Sequence, residues 1–204
     1  AKQCLVSRFE PLVRGILFTG LLRLLLILTF QRITASRRFR GLTLCGLLRL
    51  LSLIRALDRL LLIGFSTATS QTEVEGWVKE LGLEEVVHIT GLTENVPALL
   101  SALDLGVVNS LWSETIARAA LEIMSCSVPL VGTHVGVLPD LLSQEALIPS
   151  GDATALAERI QAVLSEPRLY QQLQRQQEEV IRDLSTEHFF QHTQSLYTRL
   201  LSSQ

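Results

Sequence analysis

The sequence predicts an α/β fold: a Rossmann-like, doubly wound parallel sheet of about six strands with helices on both faces. Three observations carry that prediction. From residue 59 onward, short apolar runs alternate with longer amphipathic ones, the pattern of βαβ units. The apolar runs are continuous rather than alternating, as strands covered on both faces must be. A hydrophobic fraction of 48% with 19% charged residues over 204 positions describes a chain able to bury one sizeable core.

In chain order, RLLLIG (59–64) reads as a buried strand ending at Gly64, and TEVEGWVKELGL (72–83) places Val74, Trp77, Val78 and Leu81 at helical spacing. EVVHITG (85–91) is strand-like and β-branched. VPALLSALD (96–104) is a short helix with Pro97 in its first turn, where the missing N–H costs least. LGVVNS (105–110) is a strand leading into a helix within SETIARAALEIMSC (113–126). VPLVGT (128–133) is a strand opened by Pro129, VGVLPDLL (135–142) a short helix, and ALIPSGD (146–152) a last strand and turn. Asp152 then caps the helix ATALAERIQAVL, and two further helical stretches, 166–183 and 186–202, follow.

Residues 1–58 have a narrower alphabet. ILFTG (16–20) suits a first strand and GLLRLLSLIRAL (46–57) a helix, while the stretch between shows no period. Leucine makes up 20 of the first 63 residues, and ten of the eleven basic residues there are arginine. Two readings stand: a membrane-facing surface, or a segment drifted from an ancestral sequence. The chain therefore reads as one domain, 1–204, with an atypical first βα unit (1–58), a core (59–165) and C-terminal helices (166–204).

Net charge is −2, divided as +9 over residues 1–63 and −11 over the rest. That asymmetry suggests either a polyanion or membrane surface near the N-terminal third, or the basic flank of a soluble domain. The run at 15–30 is apolar but short of the ~20 residues a membrane span needs, and it carries Arg23. Cys4, Cys45 and Cys126 are scattered and odd in number, which argues against a disulfide framework and for a reducing compartment. No signal peptide is evident, so the expected location is cytoplasmic, with a peripheral contact at the inner face of the membrane as an option.

In such a sheet, ligands bind beyond the carboxyl ends of the strands. The candidate loops are 64–70, 91–95, 109–114 and 133–136, which bring in Gly91 and Asn109. Within 113–126, Glu122 is the only charged residue between Arg118 and Asp140, set among Leu121, Ile123 and Met124 as if buried. A buried carboxylate needs a partner. Glu114 and Glu122 are spaced E-x7-E, two turns apart, with Ser113 as an expected helix cap. A helix start there suits phosphate, and two carboxylates suit the hydroxyl pairs of a ribose and a hexose flanking a diphosphate. The alternative is internal: Glu114, Arg118 and Glu122 at i, i+4, i+8 form a ladder worth ~0.2–0.5 kcal/mol per pair.

SLWSETIARAALEIMSCSVPLVGTHVGVLPDLL (110–142) resembles the E-x7-E region of retaining GT-B glycosyltransferases of family four. That family's usual pattern is an acidic-Gly-Phe-Gly turn, a helix ending A-x-G-x-P-V-V-x-T, and a G-x-x-E/D loop. Residues 89–108 and 148–167 resemble the flanking family segments. The resemblance implies the C-terminal, nucleotide-sugar-binding half of a two-domain enzyme. It makes Glu114 the carboxylate at the donor sugar and the catalytic candidate, and Glu122 the one holding the nucleotide ribose. Thr115, Ile116 and Ala117 then supply turn amides near sugar and phosphate.

The SETI turn resembles transferases that build lipopolysaccharide or other surface glycans, so the implied partners are a nucleotide sugar and an acceptor glycan or lipid-linked glycan. No cofactor and no metal are expected; there is no D-x-D, as is usual in the family. The family's G-R-x4-K-G phosphate clamp is missing: Leu21 follows Gly20, and no lysine occurs between Lys2 and Lys79. Arg23 and the Arg37/Arg38/Arg40 cluster are the candidate substitutes, against a solvated basic loop. With no acceptor domain in this length, the chain is expected to bind donor without transferring sugar. The reading from a different class is a non-catalytic membrane-surface or scaffold domain that kept the fold. His188 and His192 share a helix face but lack further ligands for zinc, and no aromatic-interleaved basic motif suggests nucleic acid.

Overall fold

The computed structural model of the chain describes residues 24–27, 59–64, 70–112 and 115–202. Six strands form one sheet: β1 Leu24–Ile27, β2 Arg59–Ile63, β3 Val87–Gly91, β4 Leu105–Val108, β5 Leu130–Thr133 and β6 Leu147–Ile148. Every pairing is parallel and the spatial order is β3-β2-β1-β4-β5-β6. The helices are α1 Gln71–Glu80, α2 Val96–Ser101, α3 Arg118–Ser125, α4 Leu138–Leu141, α5 Ala153–Ser165, α6 Pro167–Asp183 and α7 Thr186–Ser202. Parallel crossovers are right-handed, so α1, which joins β2 to β3, and α3, which joins β4 to β5 in the opposite direction, cover opposite faces.

The strand and helix expected at 16–20 and 46–57 lie outside the described residues. The first described strand is LLLI at 24–27, inside the stretch that showed no period. A strand apolar on both faces, with apolar residues on either side, leaves no periodic trace.

Burial follows position in the sheet. All four residues of β4 and all four of β5 are buried, whereas the edge strand β3 buries only Val87. α3 lies close over β4: a Cβ at Gly106 would come within 2.6 Å of Ile123 Cγ2, so only glycine lets the helix approach this far. Ile123 and Leu130 are fully excluded from solvent at that contact, and Leu105, Val107 and Val131 equally so on the opposite face of the sheet. α1 starts with a reciprocal cap, Ser70 accepting from the Glu73 N–H while Glu73 reaches back to the Ser70 N–H. Asp152 caps α5 through the Ala155 N–H, as expected from the sequence.

α3 ends in a Schellman turn. The Ser127 N–H donates to Met124 O and the Val128 N–H to Ile123 O, with Ser127 left-handed at φ 58°. α6 packs on α3, α5 and β5, burying Leu173 and Gln177. α7 buries nothing; Phe189, Phe190, Leu196, Tyr197, Leu200 and Leu201 all face solvent. Among the described residues, no helix is long and apolar enough to cross a membrane.

Candidate functional site at the switch of the sheet

The chain leaves β1 toward β2 and β3, then returns to the other side of β1 as β4. That reversal opens a crevice beyond the carboxyl ends of β1 and β4, where doubly wound sheets take ligands. Residues 109–112 leave β4 at this point, and residues 115–117 run into α3.

Asn109 is the first residue out of β4. It is 6% exposed, and its Oδ1 has no hydrogen-bond partner among the described residues. Buried polar atoms are nearly always satisfied, so an unpaired acceptor at the exit of β4 stands out. Asn109 lines a small cavity with Thr133, Ile148, Pro149, Gly151 and Leu156.

The helix begins later than the sequence suggested. α3 starts at Arg118, and its cap position is Ala117, which makes no side-chain cap bond. Ser113, the expected cap, is four residues upstream of that position, and it lies outside the described residues together with Glu114. What turns the chain into the helix is a left-handed residue: Ala117 has φ 49°, ψ 41° and is 2% exposed. Thr115 and Ile116 form the exposed bend before it.

Glu122 is not buried. Its side chain is 49% exposed, and its one ion-pair partner among the described residues is Arg118, at 3.9 Å and 80% exposed. The expectation of a buried carboxylate is therefore corrected. The apolar neighbours Ile123 and Met124 turn inward, and Glu122 turns out. Of the ladder, only this long rung lies within the described residues. Arg before Glu is the weaker orientation, so the pair adds a few tenths of a kcal/mol at most.

Gly91 ends β3 with φ 64°. It sits on the edge strand, three strand spacings or about 14 Å from β4, so sheet order does not bring it to Asn109. Gly20 and Arg23 lie outside the described residues; both precede Leu24 in the chain, and the segment leaving the carboxyl end of β1 begins at residue 28. Two large apolar residues at this end were not singled out from the sequence: Leu92 and Trp112 are 81% and 58% exposed, as the expected site residue Ile116 is at 66%. Their loop positions are the signal that was available. No group of His, Cys, Asp and Glu among the described residues is arranged to hold a metal.

At the far end of the sheet, the Arg59 guanidinium stands 2.7 Å from His88 Nε2. Burial and then the Arg59 charge hold the His88 pKa below its usual 6.5, against an opposing pull from Glu85. A depressed folded pKa means the unfolded chain takes up the proton first. The contact is thus fully stabilising above pH ~6.5 and is lost as pH falls toward the folded pKa. Melting temperature should drop less between pH 7.5 and 5.5 in His88→Gln than in the parent, as scanning calorimetry will show.

The glycosyl transferases group 1 model matches residues 45–180. The chain belongs to that family. It is 30% identical over 128 residues to N-acetyl-alpha-D-glucosaminyl L-malate synthase of Bacillus anthracis, covering 61% of this chain and 33% of that protein. A glycosyltransferase of Rickettsia africae superposes over 100% of this chain and 54% of its own, with TM-score 0.75 and 17% identity. Anabaena HepE, solved with UDP and glucose, superposes over 94% of this chain and 51% of its own, with TM-score 0.72 and 21% identity. The chain thus spans about a third of that curated relative and about half of these solved structures.

Against the family pattern, Ala117 and Ser127 both stand where glycine is usual, and both are left-handed. An L-residue there costs about 1–2 kcal/mol, partly offset by the greater entropy glycine loses on folding. Ala117→Gly and Ser127→Gly should each raise unfolding free energy by about 0.5–1 kcal/mol, readable in urea melts.

Proposed function

We propose that this domain is the donor-binding half of a retaining glycosyltransferase that uses a nucleotide-diphosphate sugar, acting in surface polysaccharide or lipopolysaccharide synthesis. The observation that carries the reading is the place of β4 at the switch point of the sheet, followed in the chain by α3, whose start at Arg118 has no side-chain cap. A helix start without a side-chain cap offers its first amides to an anion. Asn109, the first residue out of β4, keeps its Oδ1 buried without a partner among the described residues. Glu122, outward-facing on the same helix, supplies a carboxylate for the ribose hydroxyls, and Glu114 is the proposed carboxylate at the donor sugar.

The reaction takes place between two halves, the second of which supplies the acceptor glycan. The donor phosphate assists deprotonation of the acceptor, and no protein nucleophile is required. The exposed apolar face of α7 is a surface the second half would cover.

A non-catalytic domain that kept this fold is the second reading. It is favoured by non-glycine residues at both left-handed ends of α3 and by the absence of lysine between Lys2 and Lys79. Differential scanning fluorimetry with UDP, GDP, ADP and their sugars separates the two. A ligand at 100 times its Kd adds about 2.7 kcal/mol and raises the melting temperature. No shift with any of them at millimolar concentration would sink the donor reading. Co-sedimentation with anionic vesicles at low salt tests a peripheral membrane contact, and no pelleting rejects it.

A further inference from the structure

Beyond Val108 the chain departs from the sheet, so the carbonyls of the next residues lose the ladder partners that a strand supplies. Two hydroxyls from other elements replace them. Thr133 Oγ1, at the end of β5, donates to Ser110 O at 2.7 Å, and Ser150 Oγ, in the loop between β6 and α5, donates to Leu111 O at 2.8 Å. Ser150 Oγ also lies 3.5 Å from Ser110 O. The same loop touches the strand exit through its neighbour, since a Cβ at Gly151 would sit in ordinary contact with Leu111 Cδ2 at 3.7 Å. Successive carbonyls are therefore held from two directions, immediately after Asn109 and immediately before Trp112.

We propose that Thr133 and Ser150 are positioning residues, whose hydroxyls clamp the exit of β4 and thereby set where Asn109, Leu111 and Trp112 stand toward a bound nucleoside diphosphate. This rests on the donor-site reading above. The clamp is a device of three separate elements, so its removal acts on the loop and not on the sheet. Thr133 is 2% exposed, and its hydroxyl donates to Ser110 O from a part-buried position. Ser150 is exposed, so losing its hydroxyl leaves little buried surface to repack.

The test uses the full chain with Ser150→Ala, Thr133→Val and the conservative Thr133→Ser, and UDP, GDP and ADP as probes. Amide hydrogen exchange is read on peptides spanning 109–117, with Trp112 emission followed in a Trp77→Phe background. Ser150→Ala and Thr133→Val should speed exchange there by about fivefold or more, with exchange in β2 and α5 unchanged. They should weaken whichever nucleotide the parent binds by about three- to tenfold, and Thr133→Ser should keep parental values in both measurements. Unchanged exchange at 109–117 in both Ser150→Ala and Thr133→Val overturns the clamp whatever the nucleotide result. Faster exchange with unaltered affinity overturns the positioning role. A parent chain that binds none of the three nucleotides overturns the donor reading itself, and the positioning role with it, which the exchange data alone do not do.

Discussion

Gln177→Ala is expected to cost about 2–5 kcal/mol of folding free energy, the largest effect of any single side-chain truncation argued for this fold. Gln177 lies on α6 and is 3% exposed. Its Nε2 donates to Leu130 O at 2.8 Å, and its Oε1 accepts from the Leu130 N–H at 2.7 Å. The reason lies in the sheet. In a parallel strand, the N–H and C=O of one residue point to the same side. The bonds between β4 and β5 here use the Pro129 carbonyl, which accepts from the Gly106 N–H, so Leu130 turns its own pair toward β6. β6 is two residues long and reaches only Gly132 and Thr133. The Gln177 amide therefore stands in for the missing strand residue.

Truncation leaves a buried N–H and a buried C=O unpaired, each costing about 1–3 kcal/mol. In a domain of this size, that is a fall in melting temperature of roughly 5–15 °C. Gln177→Glu keeps the acceptor but loses the donor and buries a charge, so it should be no better. Gln174, which donates to Ser127 O from a half-buried site, is the internal control, and Gln174→Ala should cost under about 1 kcal/mol. A loss below 1 kcal/mol for Gln177→Ala would mean that water enters and takes over both bonds.

That clasp was not legible in the sequence, where YQQLQRQQEEV reads as a polar helix with an apolar stripe. One buried glutamine among five is indistinguishable by spacing, because what selects Gln177 is the shortness of a strand thirty residues upstream. The strands and helices from residue 59 onward were legible because their periods are set locally, by burial of one helical stripe or of both strand faces. Boundaries set by backbone conformation were not. Nothing in ETIAR announces that Ala117 is left-handed, since alanine is the best helix former, and the helix was therefore expected to start near Ser113. The burial of Glu122 was misread for a related reason. Ile123 and Met124 are indeed buried, but one residue of helix is a 100° turn, which is enough to carry its neighbour from core to solvent. The position of Asn109 followed from the strand it ends, and the tie from Ser150 required three dimensions.

Glu122→Ala is expected to weaken binding of the nucleotide by about 10- to 100-fold, while Arg118→Ala changes it by less than about threefold. The exposure of Glu122 sharpens this expectation. A carboxylate buried among apolar side chains would be coupled to the fold, and its loss would mix stability with affinity. A carboxylate 49% exposed, paired among the described residues at 3.9 Å to an arginine 80% exposed, contributes little to the fold. Its removal should leave the melting temperature of the free domain within about 2 °C of the parent.

A ribose diol offers two hydroxyl donors to one ionised acceptor, and charge-assisted bonds of that kind contribute about 1.5–3 kcal/mol. Glu122→Gln keeps the shape, one acceptor oxygen and most of the contacts, so it should fall between alanine and the parent, which a simple loss of packing would not produce. Isothermal titration with the nucleotide identified by fluorimetry reads all three variants. Equal effects of Arg118→Ala and Glu122→Ala on affinity would make the pair a unit and return Glu122 to the ladder. An effect of Glu122→Ala on the free domain's melting temperature as large as on its affinity would make the residue part of the fold, and the ribose contact would have to be sought elsewhere in the loop 109–117.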